Sequence, residues 1–275
     1  MAGKLFIVGT PIGNMGDMSP RAVQTLREVD FVAAEDTRVT RGLLSRFDIH
    51  RPMVSYYEHN KLQSGEAILA RLQNGESCAL CSDAGMPGVS DPGGALVAAC
   101  AEAGVEVDVI PGPCALICAV AHSALPVGRF CFEGFLSVSK KSRREHLEAI
   151  KTETRVMVFY EAPHKLLYTL EDLLSVLGER GLTVCRELTK LHQEIRHTTL
   201  SGALEHFRAV SPRGEFVLII EGAKPPVKEP DDIEAAFEKA KKLVEQGCGV
   251  KEAASAVGIG GAGKKEIYRR LSRGE

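Results

Sequence analysis

The chain has 275 residues, of which 44% are hydrophobic and 25% charged, and its formal net charge is −2. This is an ordinary globular composition, long enough for two domains and a small appendage, and it excludes a disordered or fibrous chain. No global field attracts a polyanion, so any nucleic-acid surface must be a local patch.

The start, MAGKLFIVGT, lacks a charged region followed by a long apolar core, so no signal peptide is read. "KLFIV" (4–8) is a compact strand ending at a glycine. Ser19 is placed to cap a helix over 19–29, with Pro20 at its first position. "DFVAAE" (30–35) is a second buried strand, and a helix follows from about Thr37. The pattern then repeats: helix about 62–74, strand 77–82, helix about 92–103, strand 105–110 and a helix from Pro113 to about Ser123. Strands alternating with helices predict an α/β unit with a mostly parallel sheet. That last helix lies in the most apolar stretch, "CALICAVAHSALPVG", which is too short for a membrane span and is broken by His122 and Pro126.

The pattern restarts with "RFCFEGFL", a basic helix (about 142–151), a strand at 155–161, a helix (165–177) and a strand at 182–188. A short strand at 197–200, another helix and "EFVLIIEG" (215–222) complete a second α/β domain, with several strands in hairpin-like order. The Pro-rich, charged "AKPPVKEPDD" (223–232) reads as a linker. Beyond it "VKEAASAVG" and "KKEIYRRLSR", separated by the turn "IGGAG", resemble a helix-turn-helix. The expected division is 1–125, 126–224 and a linker with helical tail at 225–275.

The cysteines lie mostly inside apolar runs, among them Cys100, Cys118, Cys131 and Cys185, as reduced thiols do in a cytoplasmic protein. Cys78 and Cys81 form a C-x-x-C without a second pair or a nearby histidine, so no metal is expected there.

Three glycine-rich loops follow strands of the first domain: "GTPIGNMGD", "SDAGMPGVSDPG" and "PGPCA". The carboxyl ends of parallel strands share one edge, so these loops should converge on one crevice, with glycine allowing close backbone approach. Asp91, followed by Pro92, is expected to cap the next helix. Asp83, directly after a strand, is read as a ligand-facing carboxylate, against a turn-stabilising one. Glycines 9, 13 and 16 fit neither G-x-G-x-x-G nor a P-loop, although a simple reading would place a nucleotide there with Glu35 or Asp36 on its ribose.

In order, "TPIGN", "AAEDTR", "YYEHN", "SDAGMPGVSDPG", "PGPCA", "FCFEGF", "FYEAPH" and "RELTK" resemble the bacterial 16S ribosomal RNA cytidine-2′-O-methyltransferase family, a branch of the tetrapyrrole-methylase superfamily. The resemblance covers about residues 4–222 and extends to the basic tail. It implies a homodimer of two α/β domains with S-adenosylmethionine (AdoMet) in the cleft between them, acting on a decoding-centre cytidine of 16S rRNA within the small ribosomal subunit. Carried onto this chain, it assigns Asp83, Gly85 and Met86 to the cofactor's polar end and methionine part. Cys114 and Ala115 lie against the cofactor, and Tyr160, Glu161, Leu188 and Glu215 surround its adenosine; ordinary core packing is the competing reading for Tyr160 and Leu188.

Methylating a ribose hydroxyl needs in-line alignment and a proton acceptor. The groups on the same sheet edge are Glu35, Asp36 and Arg38, with Glu58, His59 and Asn60 on the "YEHN" loop. Asp36 or His59 could take the proton, though Asp36 could equally cap the following helix. Arg38 suits a phosphate, and Asn60 a base edge or ribose. Basic clusters at Lys140, Lys141, Arg143 and Arg144, along Arg38, Arg41 and Arg46, and at Lys264, Lys265, Arg269 and Arg270 fit phosphate positioning. With 5% aromatic content and no Trp, a long stacking platform is not expected. Two rivals remain: methylation of a tetrapyrrole on the same fold, and a non-catalytic ribosome-associated RNA-binding factor.

Overall fold

A computed structural model describes residues 2–224, 233–258 and 261–274. The first sheet contains β1 (Lys4–Val8), β2 (Phe31–Ala34), β3 (Met53–Ser55), β4 (Cys78–Cys81) and β5 (Glu106–Ile110), ordered β3-β2-β4-β1-β5. Every pairing in it is parallel. Its helices divide between the two faces because strand side chains alternate. Leu5, Phe31, Cys78 and Leu80 share one core with Ile68 and Leu72 of α3 (Lys61–Gln73) and with Leu96 and Cys100 of α4 (Gly94–Glu102). Val8, Val32, Ala79 and Cys81 share the other with Leu26 of α1 (Pro20–Glu28) and Leu44 of α2 (Thr37–Arg46). Cys78 and Cys81 therefore face opposite sides of the sheet, and burial pushes both thiols up, Cys81 to about 12. That is the reverse of what a thiolate ligand needs.

Ser19 caps α1 as expected, its hydroxyl accepting from the Ala22 amide at 3.0 Å, with Pro20 opening the helix. β3 is not predicted, because three residues at a sheet margin carry no periodic signal. At α4 the structure corrects the expected cap: the N-cap is Gly93, the helix begins at Gly94, and Asp91 stands free of it.

After α5 (Ala115–His122), the second sheet contains β6 (Phe130–Phe135), β7 (Val156–Glu161), β8 (Gly181–Arg186), β9 (Glu194–Thr199) and β10 (Phe216–Ile220). Its order is β6-β7-β10-β8-β9, parallel only between β6 and β7. Phe216, Leu218 and Ile220 point into a core shared with α6 (Lys140–Ala149), α7 (Leu166–Leu177) and α8 (Leu200–Ala209). Val217 and Ile219 point the other way, onto Leu116 and Ala119 of α5. A helix from the first half thus completes the core of the second, and Met1–Ala223 forms one compact unit, with Lys224–Glu275 the other.

The second unit has its own small core, built by Phe237 and Ala240 of α9 (Ile233–Glu245), Ala253 and Ala254 of α10 (Val250–Ala256) and Ile267 of α11 (Gly261–Arg273). Most of the expected linker, 225–232, lies outside the described residues, as do 259–260 of the expected turn; α11 starts within the remainder of that turn. Arg270 packs over the Phe237 ring at 4.0 Å and pairs with Glu234.

The basic cluster on α6 is also corrected. Arg143 is 3% exposed, bonded to Asp172 through Nε at 2.8 Å and to the Ser137 carbonyl at 2.9 Å. Its charge is held inside the protein, and no phosphate can reach it. Removing one partner of a buried pair leaves an uncompensated charge. Arg143→Ala is expected to destabilise the protein by about 3 kcal/mol, read as a lower urea midpoint.

Candidate functional site

The loop after β1 meets the loop after β5 backbone to backbone. A methyl group on Gly9 would lie 2.7 Å from the Gly112 amide nitrogen, and one on Gly112 would lie 2.8 Å from the Gly9 carbonyl carbon. Beside them Thr10 and Gly85 exchange backbone hydrogen bonds of 2.9 and 3.2 Å, which ties in the loop after β4. Gly85 adopts φ +87°, a conformation glycine takes at no steric cost. The β1 loop also reaches the second half. A methyl at Gly13 would fall 2.9 Å from Thr189 Oγ1, and the Asn14 amide donates to that oxygen at 3.2 Å.

These contacts enclose a cavity of about 400 Å³. On the side of the first sheet it is lined by Ile12, Glu35, residues 83–86, Asp91, Cys114 and Ala115. The second sheet contributes Phe135, Tyr160, Glu161, Cys185, Leu188 and Glu215 through Val217. All nine residues expected to hold the cofactor therefore line one cavity, together with Glu35. Ile12, Phe135 and Asp91 are additions: the first two lie in the stretches "TPIGN" and "FCFEGF" without being singled out within them, and Asp91 has the local appearance of a helix cap.

Each wall is held from behind. The Tyr160 hydroxyl accepts from the Leu116 amide at 2.9 Å, covering an open donor at the start of α5, while its ring packs edge-on to Phe132 and Phe135. Burial pushes its phenol up to about 12, so it stays protonated at neutral pH. Glu161 is 2% exposed and accepts from Thr169 Oγ1 at 2.6 Å and from the Ala162 amide at 2.8 Å. Leu188 is flanked by Glu187 (φ +51°) and Thr189 (φ +66°), two non-glycine residues in left-handed backbone. Such conformations cost about 1–3 kcal/mol each and cluster at ligand sites.

Among the acids the structure distinguishes near neighbours. Asp36 caps α2, accepting from the Arg38 amide at 2.8 Å, and pairs with the Arg38 guanidinium at 2.6 Å. The Arg38 side chain and amide hold its carboxyl down at about 2, too acidic for a proton acceptor at neutral pH. Glu35 differs: burial first, then the charges of Asp91, Asp83 and Asp36, push its carboxyl up. Asp91 is likewise raised, chiefly by burial, and its hydrogen-bond partner is the Ser82 side chain. Asp83 links the loops, accepting from the Asp36 amide at 3.0 Å while its own amide donates to Glu35 at 3.3 Å.

The "YEHN" loop does not line the cavity. Asn60 is engaged locally, accepting from the Tyr57 amide at 2.7 Å and donating to the Ser55 carbonyl at 3.1 Å. Glu58 pairs with Lys61 at 2.5 Å, and exposed His59 meets the edge of Tyr57. Lys140, Arg38, Lys264 and Arg269 are exposed, and Arg144 is part-buried against Asp172 at 3.5 Å. Arg269 pairs with Glu266 on its own helix.

Residues 4–204 match the family model described as tetrapyrrole (corrin/porphyrin) methylases. A relative from Thermotoga maritima, "Ribosomal RNA small subunit methyltransferase I", is 49% identical over 80% of this chain and 99% of its own length. One of the same name from Escherichia coli O157:H7 is 43% identical over 97% and 94%. Among solved structures, uroporphyrin-III C-methyltransferase from Thermus thermophilus, complexed with S-adenosyl homocysteine, superposes with a TM-score of 0.57 at 18% identity, covering 80% of this chain and 97% of that one.

Because backbone opposes backbone at Gly9 and Gly112, neither side can yield by a rotamer change. Gly112→Ala is expected to cost about 1–3 kcal/mol. Hydrogen exchange should locate the damage in faster exchange of the Thr10 and Gly85 amides; unchanged exchange there would contradict the role of this contact.

Proposed function

The chain belongs to the tetrapyrrole methylase family and, within it, to the ribosomal RNA small subunit methyltransferase I family, and from that premise we propose that it transfers a methyl group from AdoMet to a ribose 2′-oxygen of a decoding-centre cytidine in 16S rRNA. The observation that carries the reading is the single cavity that gathers the glycine-rich loops of the first sheet and the strand ends of the second. Its volume of about 400 Å³ lies within the usual range for small-ligand sites, about 300–1,000 Å³. Its lining combines acidic side chains with apolar and aromatic ones, which fits a ligand with an amino-acid end and a nucleoside end.

In this reading Asp83, Gly85 and Met86 hold the amino-acid end, while Tyr160, Leu188 and Val217 pack the nucleoside. Bound AdoMet supplies an electrophilic methyl on a sulfonium: a C–O bond forms, the C–S pair stays with sulfur, and the hydroxyl proton needs an acceptor. Glu35 is the acceptor at this edge, because burial and the neighbouring acids raise its carboxyl and make it the more basic of the two adjacent acids. Asp36 positions Arg38 through their ion pair. Arg38, exposed at the start of α2, is available for a backbone phosphate, with Lys140, Lys264 and Arg269 as further phosphate contacts. The Thermotoga relative is matched over nearly its whole length by four-fifths of this chain, which supports the second compact unit as an accessory to binding rather than part of the reaction centre. Exposed Val109 of β5 and Ile117 of α5 support pairing of two copies. Among the described residues no helix is long and apolar enough to cross a membrane.

Labelled methyl from AdoMet should appear as 2′-O-methylcytidine in small ribosomal subunits lacking the modification. Label in a tetrapyrrole precursor alone would overturn the substrate and keep the cofactor. Activity should fall as pH drops through the raised Glu35 carboxyl and the acceptor is protonated. Glu35→Gln should remove that acid limb and lower the rate by about 10²–10⁴-fold. Asp36→Asn should leave the limb in place, since a carboxyl at about 2 is ionised throughout.

A further inference from the structure

Among the described residues, five acids line the cavity, Glu35, Asp83, Asp91, Glu161 and Glu215, and no Lys, Arg or His joins them. Two of the five have a cation close behind. Lys165 lies 3.5 Å from Glu161, which also has Thr169, and Lys190 lies 3.1 Å from Glu215. The other three have none: among the described residues no Lys or Arg forms an ion pair with Glu35, Asp83 or Asp91. Their partners are amides and a hydroxyl. The cation facing Asp83, Arg38, is bound to Asp36 and points its side chain, 85% exposed, towards solvent.

Glu35 and Asp91 are part-buried and Asp83 is exposed at the cavity's rim. Part-buried carboxylates without a cation beside them are costly, and like charges repel one another. The fold keeps three together on one wall, where each is oriented by a neighbouring loop. We propose that Glu35, Asp83 and Asp91 make this cavity selective for a cation, so that it holds the sulfonium form of the cofactor more tightly than the neutral thioether left after transfer. This rests on the cofactor reading above and goes beyond it: substrate and product differ by one methyl and one positive charge, and the wall acts on the charge.

The charge balance closes. When the methyl leaves, the positive charge on sulfur is lost, and the proton released from the attacking hydroxyl is taken by Glu35. The wall then carries one carboxylate fewer, matching the charge that disappeared. Loss of that proton to solvent restores three carboxylates on a cavity whose ligand now carries a neutral thioether sulfur, which favours its exchange for a new sulfonium. The raised Glu35 and Asp91 carboxyls are consistent with a wall that lacks its counter-charge. The titratable and charged groups around them are Asp36, Asp83, Arg38, Tyr160 and Cys114, of which only Arg38 is a cation.

Calorimetry on the full chain tests this with AdoMet, S-adenosylhomocysteine and sinefungin, an analogue bearing a protonated amine in place of the sulfonium. Near neutral pH, AdoMet and sinefungin should both bind about ten-fold or more tighter than S-adenosylhomocysteine, as expected for partly desolvated opposite charges. The gap should narrow as pH falls and in Asp91→Asn, with S-adenosylhomocysteine held as well as before or better. Equal binding of all three to the unaltered protein would overturn the inference and leave the cofactor reading intact. So would an equal loss for all three in Asp91→Asn. If none of the three bound, the cofactor reading itself would fall, and this inference with it.

Discussion

At the carboxyl edge of the first sheet two stretches of backbone, at Gly9 and Gly112, meet with no side chain between them. The remaining geometry of the site depends on that approach. It sets the separation of the loops after β1 and β5, the two strands paired at one margin of the sheet. With that distance set, Thr10 can form its two-way backbone bridge with Gly85, and the loop after β4 is held across the same edge. Gly13 extends the arrangement by admitting residues 188–190 of the second half. The glycines of "GTPIGN" thus serve loop-to-loop contact, with the ligand surface formed by the residues they bring together.

The second half answers with a largely apolar wall that is stiff for separate reasons. Tyr160 is fixed at both ends, by its ring against Phe132 and Phe135 and by its hydroxyl on the Leu116 amide. Leu188 is presented between two left-handed residues, and Glu187 is stabilised there by Lys190 at 2.9 Å and by the Glu215 amide at 2.9 Å. Strain of this kind persists only where the surroundings over-determine it. Because α5 packs onto the reverse face of the second sheet, the two walls are joined by a shared core as well as by loops.

Adjacent carboxylates acquire different chemistry from their surroundings. Asp36 faces a guanidinium and a helix amino terminus, both of which favour its charge. Glu35, one residue earlier, points into a part-buried space already occupied by acids, which disfavours its charge. Residue type does not separate these two; partners and solvent do.

Much of the architecture was legible in the chain. Alternating strand and helix periodicity predicted the parallel first sheet, "FVAA" and "CALC" announced strands buried on both faces, and Ser19-Pro20 marked a helix start. The placing of three glycine-rich loops on one crevice followed from the parallel order, since such strands end at a common edge. Other features depend on partners far away in sequence. Asp91 has the local appearance of a cap, yet the helix begins at Gly94 and its carboxyl joins a wall with Glu35, 56 positions earlier. Arg143 sits in a basic run but is neutralised by Asp172 from another helix, and Asn60, apparently free for a ligand, closes its own turn. Local propensity reports what a segment can do alone. Which charges are paired, which are buried and which face a cavity follows from packing, because desolvation and Coulomb energies depend on distances that spacing along the chain does not contain.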